Sequence, residues 1–295
     1  MLLTAFHGFC MALADAVPGV SGGTIAFILG FYERLLSALG ALLGRSGGAR
    51  RPAARYLLRL GLGWAAGMLV SVLVIAELLE RHIYALSSLF LGLTAASVPF
   101  IIRAERNTLR SGISKCWCFP LGLIAVVALT ALRRSPLIST AVHFSALSAA
   151  DCLYVLATGA LAVGATVLPG ISGSSVLMIF GVYVPALRAV REVLSLELTV
   201  LPGLALLALG FVLGAAVFAR VIRRAMAQYR AQMLWAILGL MCGSLYAICL
   251  GPATMELPPL TFASFRPLAF VLGAAVLLTL EAVSRALERR SKPNT

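Results

Sequence analysis

Two short segments of the sequence combine the residue types that bind an anion without a metal. Residues 14–24 read Ala-Asp-Ala-Val-Pro-Gly-Val-Ser-Gly-Gly-Thr, and residues 165–175 read Ala-Thr-Val-Leu-Pro-Gly-Ile-Ser-Gly-Ser-Ser. In each segment the proline ends a helix, the glycines permit a sharp turn, and the hydroxyl residues are good N-caps for a following helix. The start of that helix presents free N–H groups and the positive end of a helix dipole. Each segment therefore predicts a helix N-terminus that can bind phosphate.

The residues predicted to bind the substrate are the glycines and hydroxyl residues of both segments. They are Gly19, Ser21, Gly22, Gly23 and Thr24 in the first segment and Gly170, Ser172, Gly173, Ser174 and Ser175 in the second. One such segment alone would indicate only close packing of helices. Its repetition favours a substrate site, because a broken helix in a membrane exposes backbone groups that something must satisfy.

Four charged residues near the two segments are candidates for coupling or for contact with a headgroup. Asp15 precedes the first proline on an otherwise uncharged stretch, and a carboxylate inside a membrane is costly. It is a candidate to carry a proton or Na⁺ that couples transport, with a structural hydrogen bond as the equal alternative. Glu33 and Arg34 in the first half and Arg188 in the second follow a Gly-x-Tyr sequence, where they contact either a headgroup or the membrane interface.

The composition places these segments in a membrane protein. Apolar residues make up 61% of the chain and charged residues 12%, and several apolar stretches reach the roughly 20 residues that span a bilayer. The net charge of +13 does not indicate nucleic acid, because the basic residues lie in short loops between apolar stretches. The sequence predicts no catalytic residue, metal or cofactor. The six cysteines form no Cys-x-x-Cys pair, His7 and His143 are interpreted as structural, and Trp64 is expected at the membrane interface.

The chain divides into two similar halves. At an offset of 151 residues, 11 of the 31 residues from 8 to 38 are identical, which indicates an internal duplication. The predicted first repeat covers 1–132, with a hairpin over 2–43 and spans over 57–79, 83–102 and 116–132. A linker covers 133–151. The second repeat covers 152–295, with a hairpin over 152–187 and spans over 198–221, 234–250 and 267–283.

The predicted fold is an all-α polytopic membrane protein with an inverted repeat. In each half two limbs return the chain to its starting side and three spans then cross, so the second half begins on the opposite face. On this layout 18 of the 24 Lys and Arg residues share the side of both termini, which predicts cytoplasmic termini. The return limb over 176–187 would rise only about 18 Å. That length favours re-entrant hairpins over full crossings of a core roughly 30 Å thick, although both give the same parity.

At its two Pro-Gly-x-Ser-Gly motifs, with Gly30, Tyr32 and Glu33 after the first and Gly181 and Tyr183 after the second, the chain resembles the bacterial polyprenyl-phosphate transporters of the PopT family. The resemblance covers nearly the whole chain in length and layout. It implies a flippase that returns undecaprenyl phosphate, the carrier lipid of cell-wall synthesis, to the inner leaflet of the bacterial cytoplasmic membrane. No acidic residue follows Tyr183, which weakens a symmetric role for Glu33.

The residues alone support a transporter of an anionic substrate, and two other readings compete. A small-anion channel or ion-coupled exchanger would use the same site at the helix ends, whereas a lipid transporter needs a groove that opens sideways to the bilayer. A membrane phosphatase needs an activated nucleophile and an acid or base, and three scattered histidines supply no such group. The expected partners are polyprenyl-phosphate and membrane lipids, and a homo-oligomer is compatible with the sequence.

Overall fold

The computed structural model describes residues 2–15, 21–42, 47–71, 76–132, 144, 147–252 and 257–291. Within these ranges every regular element is helical, as the sequence predicts. The helices are α1 (Leu2–Asp15), α2 (Gly22–Ile28), α3 (Tyr32–Leu42), α4 (Gly47–Val70), α5 (Ala76–Ala104), α6 (Arg106–Ser111), α7 (Cys118–Leu132), α8 (Ala149–Val167), α9 (Gly173–Ile179), α10 (Tyr183–Leu194), α11 (Leu201–Gln228), α12 (Arg230–Cys249) and α13 (Pro267–Ser291).

Five helical stretches in the described part of the chain are long and apolar enough to cross a membrane. They are Arg81–Ala104, Ile113–Leu132, Ala149–Val167, Leu198–Gln228 and Arg230–Cys249. A sixth is reached if α9 and α10, which are bent by 106° at their break, count as one span. A chain with this many apolar helices is a multi-pass membrane protein.

Each return limb of the predicted hairpins consists of two helices instead of one. The short helix α2 is followed by α3, and the equally short α9 is followed by α10. Between them lie Gly30, with a φ of 74°, and Gly181, with a φ of 65°. This left-handed conformation ends a helix and is strained for residues other than glycine. The limb predicted over 176–187 therefore bends in its middle, and the Gly-x-Tyr sequence marks a second break.

The described parts of two basic segments between the predicted spans, 47–56 and 222–233, are largely helical. Helix α4 begins at Gly47 and α11 continues to Gln228, because the alanines and arginines of these segments are good helix formers. Most of the predicted linker 133–151 lies outside the described residues. Helix α8 begins at Ala149, three residues before the predicted start of the second hairpin, where Ser148 and Asp151 form a capping box.

The first long helix of each half packs in the same way against a glycine pair. Helix α1 packs on α4, and α8 packs on α11. A Cβ atom added at Gly67 would lie 2.6 Å from the carbonyl oxygen of Phe9, and one added at Gly214 would lie 2.5 Å from the Cα of Ala160. Phe9 and Ala160 are equivalent at the offset of 151 residues. Glycine lets these helix backbones approach closely. Close van der Waals packing of this kind stabilises helix pairs in a membrane.

The last spans of the two halves are exchanged. Helix α5 of the first half packs on α13 of the second, and α12 of the second half packs on α7 of the first. Gly92 of α5 lies against Phe270, and Gly239 of α12 lies against Phe119, with no room for a Cβ atom at either glycine. Phe119 and Phe270 are themselves equivalent at the offset of 151. The two halves are thus interlocked, and neither forms a closed unit.

We predict that Gly63→Ala destabilises the protein, since a Cβ atom at this position would overlap the carbonyl of Ala5 in α1. Overpacking of this kind costs about 1–3 kcal/mol. The matched control is Gly61→Ala two residues away, where nothing lies within 4 Å of the added atom. Alanine there should be neutral or stabilising by up to about 1 kcal/mol, as in other helices. Thermal unfolding midpoints in detergent measure both variants, and equal midpoints would contradict the close packing of α1 on α4.

Candidate functional site

The two broken segments contact each other directly. The hydroxyl of Ser21 donates a hydrogen bond of 3.0 Å to the carbonyl oxygen of Thr166, which lies 145 residues away in the sequence. The hydroxyl oxygen of Thr24 accepts a hydrogen bond of 2.9 Å from the backbone N–H of Gly170. Ser21 and Thr24 are fully buried at this contact. The structure therefore brings the predicted binding segments of the two halves to one place.

Gly170 is constrained on two sides at this contact. Its φ is 90°, in the left-handed region that favours glycine. A Cβ atom there would also lie 2.7 Å from the carbonyl oxygen of Leu240 in α12. Glycine is needed both for the turn and for the close approach to α12. The equivalent Gly19, with Pro18, lies outside the described residues.

Asp15 ends α1 and holds the start of α2. One carboxylate oxygen accepts a hydrogen bond of 2.7 Å from the backbone N–H of Gly22, and the other accepts one of 3.1 Å from the indole N–H of Trp64. A Cβ atom at Gly22 would lie 2.8 Å from the carboxylate. The carboxylate thus occupies the position that an external anion would take at α2. The structural hydrogen bond expected as one role for Asp15 is present.

The start of α2 has its donors satisfied within the protein. Besides the bond from Gly22 to Asp15, the N–H of Gly23 donates to the Ser21 hydroxyl at 3.1 Å. The N–H of Thr24 donates to the Ser21 carbonyl at 2.9 Å. These residues are all buried, and a Cβ atom at Gly23 would lie 2.8 Å from the carbonyl of Thr166. The N–H groups of Gly22, Gly23 and Thr24 at the start of α2 are therefore all bonded within the protein.

The start of α9 is more open than that of α2. Ser172 is the N-cap of α9 but makes no side-chain capping hydrogen bond, and its hydroxyl instead lies 2.7 Å from that of Ser174. Ser174 and Ser175 are half-buried. Thr166 stands where the first half has Asp15, and its hydroxyl donates to the carbonyl of Ala162 at 3.0 Å. No carboxylate of the second segment therefore takes the amides at the start of α9, around Gly173.

Glu33 and Arg34 lie at the other end of α2 from the contact between the segments. Glu33 forms an ion pair of 2.7 Å with Arg230, which also pairs with Glu105 at 2.7 Å. The guanidinium of Arg34 lies 4.6 Å above the centre of the Tyr56 ring. The seven residues of α2 rise by about 10 Å, so the structure does not bring these two side chains to Ser21.

The structure also places three further residues that the sequence analysis discusses. Arg188 is exposed on α10 and lies one helix beyond the start of α9. His7 is buried and stacks on Phe31 with ring centres 4.1 Å apart, as its structural interpretation implies. Trp64 contacts Asp15 at the helix break, which the sequence did not predict. Its position after a basic segment indicated only the membrane interface. His143 lies outside the described residues.

Comparisons with known proteins agree on one family. The model of the VCA0040-like family, described as undecaprenyl phosphate translocase-like, matches residues 11–260. A polyprenyl-phosphate transporter of Vibrio cholerae is 32% identical over 258 residues, which cover 83% of this chain and 76% of that protein. A polyprenyl-phosphate transporter of Staphylococcus aureus is 29% identical over 278 residues, which cover 94% and 95% respectively. No solved structure matches significantly.

We predict that Thr24→Val weakens the contact between the two segments. Valine has nearly the same shape but leaves the buried N–H of Gly170 without its acceptor, and an unsatisfied buried donor costs about 1–3 kcal/mol. The control is Thr130→Val, because the Thr130 hydroxyl bonds only to the Val126 carbonyl of its own helix. A lower unfolding midpoint for Thr24→Val alone is the expected result. Equal midpoints for the two variants would show that the contact contributes nothing.

Proposed function

This chain belongs to the VCA0040-like family of undecaprenyl phosphate translocase-like proteins, and from that membership we propose that it carries undecaprenyl phosphate across the bacterial cytoplasmic membrane. Two relatives named polyprenyl-phosphate transporters, similar over most of this chain, support the same substrate class. The transport direction we propose is from the outer to the inner leaflet, which recycles the carrier lipid of cell-wall synthesis. The protein acts as a flippase and performs no chemistry on the lipid.

The observation that carries this proposal is the contact between two broken helices, one of which has no side-chain cap at its start. A phosphate that leaves water must exchange its hydration for other hydrogen bonds, and backbone N–H groups and hydroxyls provide them without a cation. We place the headgroup at the start of α9, against Gly173 and the hydroxyls of Ser172, Ser174 and Ser175. The buried Ser21 and Thr24 hold the opposite wall.

Asp15 is the proposed coupling residue. Its carboxylate already occupies the start of α2, and a second anion close by is repelled strongly where the dielectric is low. A proton or Na⁺ taken up by Asp15 would remove this repulsion and release the N–H of Gly22 for the phosphate. Thr166 replaces Asp15 in the second half, so one coupling site serves both hairpins.

The transport cycle we propose is a rocking of two inverted repeats about the contact between the segments. The equivalent packing of α1 on α4 and of α8 on α11 supports the repeat, and the bias of basic residues supports cytoplasmic termini. Helices α2 and α9 have seven residues each and rise about 10 Å, which supports re-entrant hairpins. We leave Glu33, Arg34 and Arg188 out of the proposed headgroup site. Glu33 and Arg34 lie beyond the far end of α2, and Arg188 lies on α10, one helix beyond the start of α9.

We predict that the double substitution Ser172→Ala with Ser174→Ala lowers the rate of lipid translocation at least tenfold while the unfolding midpoint changes little. These hydroxyls bond to each other and are less buried than Ser21, so their loss removes phosphate donors with a small effect on packing. The assay follows a fluorescent polyprenyl phosphate in proteoliposomes by quenching of the outer leaflet. The control is Ser111→Ala, whose hydroxyl is exposed and bonds to the Thr108 carbonyl of its own helix.

The same assay separates the lipid transporter from a small-anion channel or exchanger. An unchanged rate in the double variant would contradict the proposed headgroup site. Transport of chloride or inorganic phosphate at a rate equal to or above that of the lipid would contradict the proposed substrate. Selective movement of the lipid, lost in the double variant, is the result expected for a flippase.

We predict that Asp15→Asn removes the response of transport to an ion gradient. Asparagine keeps an acceptor for the N–H of Gly22 but cannot gain or lose a proton or bind Na⁺ as a carboxylate does. In proteoliposomes with an imposed pH or Na⁺ gradient, the wild type should accelerate and the variant should not. The control is Asp151→Asn in the first turn of α8, where asparagine keeps an acceptor for the N–H of the N-cap residue Ser148. A variant that responds like the wild type would exclude Asp15 as the coupling group.

A further inference from the structure

An apolar cleft lies between α1, α2, α5 and α13. Its volume is about 230 Å³, and its wall is lined by apolar side chains together with the thiol of Cys10. The residues that matter to the argument are Leu13, Ala14, Ile25, Phe90, Leu93 and Val276. Four helices from both halves meet here, and α13 is one of the two exchanged spans.

The cleft is lined by residues on both sides of the break in the first hairpin. Ala14 directly precedes Asp15, which holds the start of α2. Ile25 directly follows Thr24, whose hydroxyl accepts from the N–H of Gly170. Two residues of the cleft wall are therefore direct chain neighbours of Asp15 and Thr24.

The other end of the cleft opens to the lipid side of the helix bundle. Val276 at its mouth is 38% exposed, whereas Ile25 and Leu93 in its interior are each only 3% exposed. Leu272 and Leu268, one and two turns before Val276 on the same face of α13, are 51% and 75% exposed. The lining residues thus range from the partly exposed Val276 on α13 to the buried Ala14 and Ile25, which neighbour Asp15 and Thr24 in the chain.

We infer that this cleft holds the isoprene units next to the phosphate of the transported lipid, while the remainder of the chain stays in the bilayer. The inference rests on the proposed function, because it assigns the tail of a substrate whose headgroup lies at the hairpins. A headgroup at the contact between the segments forces its chain out through the nearest opening. The cleft is small compared with the 300–1,000 Å³ typical of whole-ligand pockets, so only the first part of a long chain enters it.

The cleft contributes to binding through the fit of the chain and not through a hydrophobic driving force. An isoprenoid chain in lipid gains no hydrophobic free energy when it enters an apolar cleft, since lipid tails are equally apolar. What remains is the fit of the chain against the wall, through dispersion contacts that are individually small and large in sum. Side chains such as Phe90 and Leu93 therefore distinguish a polyprenyl phosphate from an anion without a tail.

Two other apolar clefts lie farther from the hairpins. One of about 410 Å³ lies along α1 and α4, and its nearest residue on α1 is Phe9, six residues or about 9 Å before Asp15. Another of about 290 Å³ lies at the end of α12, lined by Leu91, Cys249 and Phe262 among others. Neither is lined by a residue next to Asp15, Thr24 or Gly170 in the chain.

The test compares Val276→Trp, which fills the mouth of the cleft, with Val271→Trp on the same helix. Val271 is 61% exposed and does not line the cleft, so it controls for a tryptophan in α13 facing lipid. Binding to purified protein is measured for undecaprenyl phosphate, for farnesyl phosphate with three isoprene units, and for methyl phosphate with no chain. We expect Val276→Trp to weaken both polyprenyl phosphates at least tenfold, with methyl phosphate unchanged and Val271→Trp like the wild type.

Each other outcome overturns the inference or the function beneath it. Wild-type binding of all three ligands for Val276→Trp would exclude the cleft as the tail site. Equal weakening of all three would show an effect on the headgroup site or the fold. If the wild type itself binds undecaprenyl phosphate no better than methyl phosphate, the proposed function fails and the tail site falls with it.

A second measurement locates the tail directly in the wild-type protein. A polyprenyl phosphate with a diazirine on its first isoprene unit should label residues of α1, α2, α5 or α13 that line the cleft. Excess undecaprenyl phosphate should suppress this labelling, and excess phosphatidylglycerol should not. Labelling in either of the other two clefts, or equal suppression by phosphatidylglycerol, would overturn the assignment, the latter by making the cleft a general lipid site.

Discussion

An unpaired backbone N–H group inside a membrane costs several kcal/mol, and this constraint governs the centre of the protein. The chain breaks its helices twice in each half and must supply a partner for every group that the breaks release. In the first half those partners are built in, because Asp15 and Ser21 cap α2 and Thr24 caps the turn of the other half. In the second half the side chain of Ser172 does not cap α9, and its hydroxyl lies against that of Ser174 instead. This difference between the two breaks is the basis on which we propose α9, and not α2, for the headgroup.

Close packing holds the two breaks against each other. Lipid offers no hydrophobic driving force between helices. The glycine faces instead stabilise the pairs α1–α4 and α8–α11 by close van der Waals packing. Arg230 adds an ion pair with Glu33 and another with Glu105. Both pairs are partly exposed, so their contribution to stability is small, and their effect is to fix the ends of three helices relative to each other.

The sequence predicts which segments meet better than it predicts how the helices around them are arranged. The repeated Pro-Gly-x-Ser-Gly motif identifies the segments that meet, because residue type alone determines which groups can cap a helix. The breaks at Gly30 and Gly181 were not predicted, since apolar residues flank both glycines and only the backbone angle reveals the turn. The partner of Trp64 was also missed, because a tryptophan after a basic segment is typical of the interface. Glycines in a span indicate that another backbone packs closely against it, but they do not indicate which helix supplies that backbone. The exchange of α7 and α13 is therefore visible only in the structure.

That exchange gives the chain the character of a dimer joined into one polypeptide. A single half would expose the glycine faces of its second and third spans, around Gly92 and Gly122, with nothing of complementary shape to cover them. Its stable form would be a pair in which each copy lends its last helix to the other. Covalent linkage of the two copies replaces a bimolecular association by an intramolecular one, at an effective concentration in the millimolar range for a short linker. It also frees the copies to diverge, so that one can keep a carboxylate such as Asp15 where the other carries Thr166.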